Sequence, residues 1–285
     1  MQDFDKLWDY NNPTKTAAKF KDILDKIESE QNTSYLAQLY TQLARTQGLQ
    51  AKWDDAFDYL SKAKSLLLSS DNITHVRYLL ELGRTYNSSG KRSKAYDLFL
   101  EAWDLGRKIR ADGYATDAGH MLAIASDTPE KILEWNLKTI EFVKASDQAE
   151  AHKWLGSLYN NLGWTYFNDG DQTKALEIFE LALIERKRQD KDENIRIAKW
   201  CIARANREIG QVDEALAIQL DLLTTYEQLG NPSMFVFEEL AHCYTLKNEQ
   251  DKAAPYAKQA YDLLSQDDWY VKNEPTRLQA LKDIF

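Results

Sequence analysis

The chain has 285 residues and a formal charge of −9, from 45 acidic and 36 basic side chains. An acidic balance of this size argues against nucleic acid as the partner, because gripping phosphates takes a basic stripe. No segment is apolar for long enough to cross a bilayer. The opening Met1-Gln2-Asp3-Phe4-Asp5 also lacks the basic start and apolar run of a secretion signal, so the protein is expected in the cytoplasm, away from membranes.

The first predicted helix follows Asn11-Asn12-Pro13-Thr14, a helix-start signal, and carries Ala17, Phe20, Ile23, Leu24 and Ile27 at helical spacing. Ala17 also opens a period. Ala56, Ala95, Ile132, Ala175, Ala215 and Ala253 follow it at steps of 39, 39, 37, 43, 40 and 38 residues, which marks a stack of repeated supersecondary units. In the third unit Leu79, Leu82, Gly83 and Tyr86 share one helix face, and the glycine admits a neighbouring helix. After Gly90, Ala95, Phe99 and Ala102 form the matching face of a second helix. Leu162, Gly163, Tyr166, Gly170, Ala175, Phe179 and Ala182 repeat this set position for position, without a gap. Leu43, Ala44, Ala56 and Ala63 keep the frame more loosely, as do Ile202, Ala203, Gly210 and Ala215, and then Leu240, Ala241, Tyr244, Ala253 and Ala260. The fourth unit departs most: Gly119 and His120 stand for the Leu-Gly pair, and Ile132, Asn136 and Thr139 for the small-large-small set, behind Pro129 at a helix start. Beyond Asn273-Glu274-Pro275, Leu278, Leu281 and Ile284 form a single stripe.

These residues resemble the tetratricopeptide repeat, a helix-turn-helix unit with Leu-Gly-x-x-Tyr on its first helix and Ala-x-x-x-Phe-x-x-Ala on its second. The resemblance implies an all-α fold, a right-handed superhelical solenoid of antiparallel helix hairpins with about six units and terminal capping helices. The expected layout is one domain over 1–285: an N-terminal half-repeat or cap over 1–32, six hairpins over 33–268 and a capping helix over 269–285. Units of this family run about 34 residues. The mean step here lies between 39 and 40, so each hairpin has helices roughly one turn longer, or wider loops.

Catalytic signatures are missing from the sequence: there is no Gly-x-Gly-x-x-Gly, phosphate loop, His-Glu-x-x-His or Gly-x-Ser-x-Gly. Cys201 and Cys243 each fall beside a small packing residue and are expected to be buried and inert; His75, His120, His152 and His242 have no ligand-like spacing. A non-catalytic protein without metal or cofactor is therefore expected. Asn168-Asp169-Gly170-Asp171 reads as a repeat turn rather than a calcium loop. Arg186-Lys187-Arg188 reads as cations at a helix C-terminus, offset by Asp190, Asp192 and Glu193.

Arrays that resemble this one usually bind an extended peptide or partner helix along their first helices. At about 100° per residue, the position after each small first-helix residue points away from the packing face. Down the units that position is Arg45, Arg84, Met121, Trp164, Arg204 and His242, with Asn160, Trp200 and Arg207 beside it on the same face. Arginine forks grip carboxylates, asparagine bonds a peptide backbone and tryptophan supplies apolar area. The expected site is therefore Arg45, Arg84, Asn160, Trp164, Trp200, Arg204, Arg207 and His242. Its expected partner is a protein or peptide segment that is acidic or ends in a free carboxylate. A self-associating scaffold, forming a homodimer, and a peptide-sensing regulator are the alternatives.

Overall fold

Each hairpin is set by where the small residue of the period falls on its second helix. In α5 (Arg92–Lys108) and α10 (Gln172–Arg188), Ala95 and Ala175 are the fourth residues, fully buried against the preceding first helices. The computed structural model describes residues 3–27, 32–189 and 192–285, and these form two compact units, Met1–Leu158 and Tyr159–Phe285. Outside the described residues lie the opening Met1-Gln2, the end of the expected N-terminal half-repeat at 28–31, and Asp190. Among the described residues there is no strand, and the architecture is a helical-hairpin solenoid throughout.

The first unit begins with a short 3-10 helix at Phe4–Leu7. It continues with α1 (Pro13–Ile27), α2 (Thr33–Gly48), α3 (Trp53–Ser65), α4 (Asn72–Ser88), α5, α6 (Asp112–Ala125), α7 (Pro129–Ala145) and α8 (Ala149–His152). In the second unit, α9 (Leu155–Asn168, from Tyr159 onward) is followed by α10, α11 (Asp192–Glu208), α12 (Val212–Gln228), α13 (Met234–Leu246) and α14 (Gln250–Leu264). Two short helices close it, α15 (Asp268–Asn273) and α16 (Pro275–Lys282). Six of these helices reach 17 residues, and that accounts for much of the long repeat step. The 43-residue step is spent on α8, a single extra turn before α9.

The helices of a hairpin interlock at a glycine of the first helix. A Cβ on Gly83 would lie 2.5 Å from Phe99 Cε1, and one on Gly163 would lie 2.4 Å from Phe179 Cε1, so both phenyl rings occupy space only a glycine leaves open. In the fourth unit Thr139 takes that place, 2.4 Å from a Cβ on Gly119, with the Trp103 ring 2.7 Å away, and Asn136 is buried at the position that Phe99 and Phe179 hold in their units. The turns repeat as well. The amides of Lys91, Asp171 and Gln211 reach back to the carbonyls of Tyr86, Tyr166 and Asn206 at 2.8, 3.0 and 2.8 Å, closing Schellman-type helix ends. Gly170 has φ +90° in such an end and so is the turn glycine, and Asp171 caps α10 through the Lys174 amide at 3.0 Å.

Other side groups go into scaffolding. Arg186 is buried and donates to the Asn194 carbonyl at 2.8 Å, while Arg188 pairs with Glu185 at 2.6 Å. At the end of the chain Leu278 and Leu281 are buried, with Ile284 packed beside them. No helix among the described residues is long and apolar enough to cross a membrane.

Candidate functional site

The first helices of the second unit carry a line of half-buried rings. Trp164 on α9, Trp200 on α11, Phe235 on α13 and Tyr270 on α15 follow one another with centroids 6.1, 6.0 and 6.4 Å apart. The Trp200 indole donates to the Phe235 carbonyl at 3.1 Å, which fixes its ring in the line. Arginines lie over the rungs. Arg204 stands 5.9 Å from the Trp164 ring, 5.6 Å from Phe167 and 5.6 Å from Trp200, and Arg277 stands 5.6 Å from both Phe235 and Tyr270.

Two buried carboxylates hold these cations in place. Glu239 accepts from Arg207 Nε at 2.7 Å and Nη2 at 3.2 Å, and from Arg204 Nη1 at 3.4 Å. Glu238 accepts from Arg277 Nε at 2.6 Å, with a second bond from Nη2. Burial works against the Arg207 charge, but the Glu239 bonds outweigh it and the pKa stands above the usual arginine value. His242 is held below the ordinary imidazole value by burial and then by Arg207, with Glu239 and Glu238 opposing. Asn160 Oδ1 accepts from the Cys201 thiol at 3.7 Å. Of the residues expected to bind, the second unit thus gathers Asn160, Trp164, Trp200, Arg204, Arg207 and His242. Arg207 is spent on Glu239, whereas Arg204 is 29% exposed and presents its face to the rings. Phe235, Tyr270 and Arg277 escaped the sequence reading, although the steps from Trp164 to Trp200, Phe235 and Tyr270 are 36, 35 and 35 residues.

Arg45 and Arg84 lie in the first unit, on a cavity of about 490 Å³ between α2, α4 and α6, with Trp8, Tyr10 and Trp154 among its other walls. The segment before α1 crosses this face. Asp5 accepts two bonds from Arg77, at 2.7 and 2.6 Å, and Arg77 also donates to the Tyr114 hydroxyl at 3.0 Å. Trp8 donates to Gln42 at 2.9 Å and stacks on Tyr10 at 4.6 Å. Arg84 is enclosed by Glu81, at 2.7 Å, and Asp117. The three guanidiniums therefore differ. Burial opposes the charge on Arg77 and Arg84, but their carboxylates more than offset it and both pKa values are raised. Arg45 has its nearest carboxylate oxygen, Glu81 Oε2, at 3.8 Å, and burial lowers its pKa, with Glu81 opposing and Arg84 adding. That distance is too long for a hydrogen bond.

Among the described residues no group of three or more His, Cys, Asp or Glu side chains is placed to hold a metal. Both cysteines are buried free thiols, with burial pushing each up to about 12, so neither is a nucleophile at neutral pH.

Helix pairs stacked on a common frame, with rings and paired arginines on the first helices, define a repeat protein of the helical-hairpin class. Residues 155–188 match the family model described as "Tetratricopeptide repeat", and that stretch contains all seven residues of the best-formed unit. The chain therefore carries a tetratricopeptide repeat at 155–188, set in an array of helix hairpins. No curated protein matches its sequence. Solved structures share the fold. The STAND signal-transduction ATPase with a tetratricopeptide repeat sensor from Pyrococcus horikoshii is 15% identical with a TM-score of 0.72, over 96% of this chain and 46% of that one. The apo form of RapI is 10% identical with a TM-score of 0.69, over 98% and 84%. BtubC from P. vanneervenii is 14% identical with a TM-score of 0.61, over 82% and 94%. Folds of this kind generally mediate protein–protein interactions.

Proposed function

We propose that the chain is a non-catalytic protein-binding module whose second unit seats an extended segment of a partner along Trp164, Trp200, Phe235 and Tyr270. The spacing of the rings carries this reading. An extended chain advances about 3.2–3.4 Å per residue and turns alternate side chains to one face, so same-face side chains recur about every 6.4–6.8 Å. The rings recur at 6.1, 6.0 and 6.4 Å, close to that interval. Every second residue of the segment would meet a ring, and Arg204 and Arg277 would offer guanidinium edges to its carbonyls or carboxylates. Glu238 and Glu239 offset the arginines, so an apolar or aromatic segment suits this face better than a strongly acidic one. The Pyrococcus horikoshii protein uses its array as a tetratricopeptide repeat sensor, which accords with this use of the fold.

Affinity capture from a native lysate, with each captured protein identified, tests the proposal when run beside the Trp164→Ala, Arg204→Ala double variant. Loss of a specific partner with helicity unchanged is expected; capture of the same partner by the double variant refutes the reading. Self-association is the competing account, favoured by Trp269 and Val271, which stand 56% and 48% exposed on α15. A monomer in sedimentation at high concentration removes it.

A further inference from the structure

The cavity of the first unit is a separate site from the aromatic line of the second, and its chemistry is different. Three guanidiniums face it, and the protein supplies close carboxylates for two: Asp5 for Arg77, and Glu81 with Asp117 for Arg84. Among the described residues Arg45 is left with one carboxylate oxygen at 3.8 Å and no hydrogen bond to its guanidinium, and its side chain is 28% exposed. An arginine fork in a partly desolvated wall is a strong receptor for a carboxylate, because the charge-assisted bonds form away from bulk water. The same face shows the mode of recognition in cis: Asp5 lies in the fork of Arg77, and three residues on Trp8 packs its ring against the face and bonds Gln42.

The remaining walls say what should carry the carboxylate. The stacked Trp8 and Tyr10 rings, 6° from parallel, flank the cavity, and Tyr10 is 64% exposed. Trp154 and His120 pair elsewhere on the wall at 5.4 Å, and Met121 adds an adaptable apolar surface. Burial holds the His120 imidazole below its ordinary value, so it adds no cation at neutral pH. Flat apolar walls around one under-bonded arginine suit a flat apolar group bearing a single negative charge.

We propose that this cavity binds an aromatic carboxylate, with the carboxylate on Arg45 and the ring against the walls formed by Trp8, Tyr10 and Trp154. Such a ligand is either a small aromatic acid or the C-terminal residue of a peptide chain, since both present a carboxylate beside a ring. The proposal does not depend on the partner segment assigned to the second unit.

Calorimetric titration of the full chain with indole-3-propionate, N-acetyl-tryptophan and N-acetyl-tryptophanamide tests it. The acids are expected to bind and the amide, which keeps the ring but lacks the charge, to bind at least roughly tenfold more weakly, as losing a hydrogen bond to a charged group implies. Tighter binding of indole-3-propionate points to a small acid, and tighter binding of N-acetyl-tryptophan to a chain terminus. Arg45→Met should reduce acid binding to the level of the amide. Arg45→Lys, which keeps the charge without the fork, should fall between, and it reads the same question if the methionine variant does not fold. The Trp164→Ala, Arg204→Ala variant should bind the acids like the parent. Equal binding of acid and amide, acid binding that survives Arg45→Met, loss of acid binding in the second-unit variant, or absence of saturable binding by either acid would each overturn the assignment.

Discussion

Replacing Gly163 by alanine is a sharp test of the packing, because two effects of known size oppose one another there. In an ordinary helix interior the change favours the folded state by about 0.8–1.0 kcal/mol, through backbone entropy. At Gly163 the new methyl would lie 2.4 and 2.5 Å from two carbons of the Phe179 ring, where an optimal carbon contact is about 3.5–4.0 Å. The ring must retreat by about 1 Å, yet Phe179 is fully buried in a cluster with Ala175, Cys201, Ile202 and Ala205. Overpacking of this kind costs about 1–3 kcal/mol, so a net loss of about 0–2 kcal/mol is expected, a fall in midpoint of up to about 6 °C. Gly48→Ala is the control, since a Cβ there meets nothing within 4 Å. It should be neutral or stabilising by up to about 1 kcal/mol. Thermal and urea unfolding followed by circular dichroism and tryptophan fluorescence measure both, each variant being compared at the transition of its own unit, because repeat arrays need not unfold in one step. Phe179→Leu in the Gly163→Ala background should recover about 1 kcal/mol relative to additivity. A Gly163→Ala protein more stable than the parent, or zero coupling to Phe179, would refute the reasoning.

Two further outcomes are expected. Asp5→Ala leaves Arg77, only 8% exposed, without its carboxylate; as Asp5 is itself 49% exposed, the loss is about 1–2 kcal/mol rather than that of a fully buried pair, read as a lower unfolding midpoint. Arg77→Met, which removes the buried charge as well, should be milder than Asp5→Ala. With Cys201 and Cys243 pushed up to about 12, native thiols should resist a disulfide reagent at pH 8 and both should react in denaturant. Raised thiol values stabilise the fold fully below about pH 8.5, and that contribution is lost as pH rises from there toward the folded value. Stability should therefore decline above about pH 8.5, and less so in Cys201→Ala; rapid native labelling would contradict the burial.

The frame of the fold was legible in residues whose spacing has one cause. Alanine recurs at the fourth position of the second helices, fully buried in every case except α7, where Ile132 stands, and Gly83 and Gly163 recur because Phe99 and Phe179 fill the space beside them. The binding face was legible only in part. A reading at constant offset runs from Trp164 to Arg204 and His242, whereas the rings run from Trp164 to Trp200, Phe235 and Tyr270. Their steps of 36, 35 and 35 residues fall short of the framework steps of 40 and 38, so the line slips toward the helix N-termini by about one turn per hairpin. A one-turn slip preserves the face but defeats a fixed offset. Glu239 is an acid of the next repeat within reach of Arg204 and Arg207, a pairing the sequence allows, whereas the pairing of Glu238 with Arg277 joins residues 39 apart and left no signal. The segment across the first unit had no signal at all: Asp5, Trp8 and Tyr10 belong to no repeat, and their positions follow from Arg77 and Gln42 on other helices.

The slip of the aromatic line also sets a limit on what it can measure. Trp164 lies in the third turn of α9, whereas Phe235 and Tyr270 are the second and third residues of α13 and α15. A line whose steps fall short of the repeat runs out of helix, and this one has reached the helix starts by its last two rungs. Four rungs touched by alternate residues correspond to about seven residues of extended chain. The second unit would then act as a ruler: affinity should rise with segment length up to that span and level off beyond it.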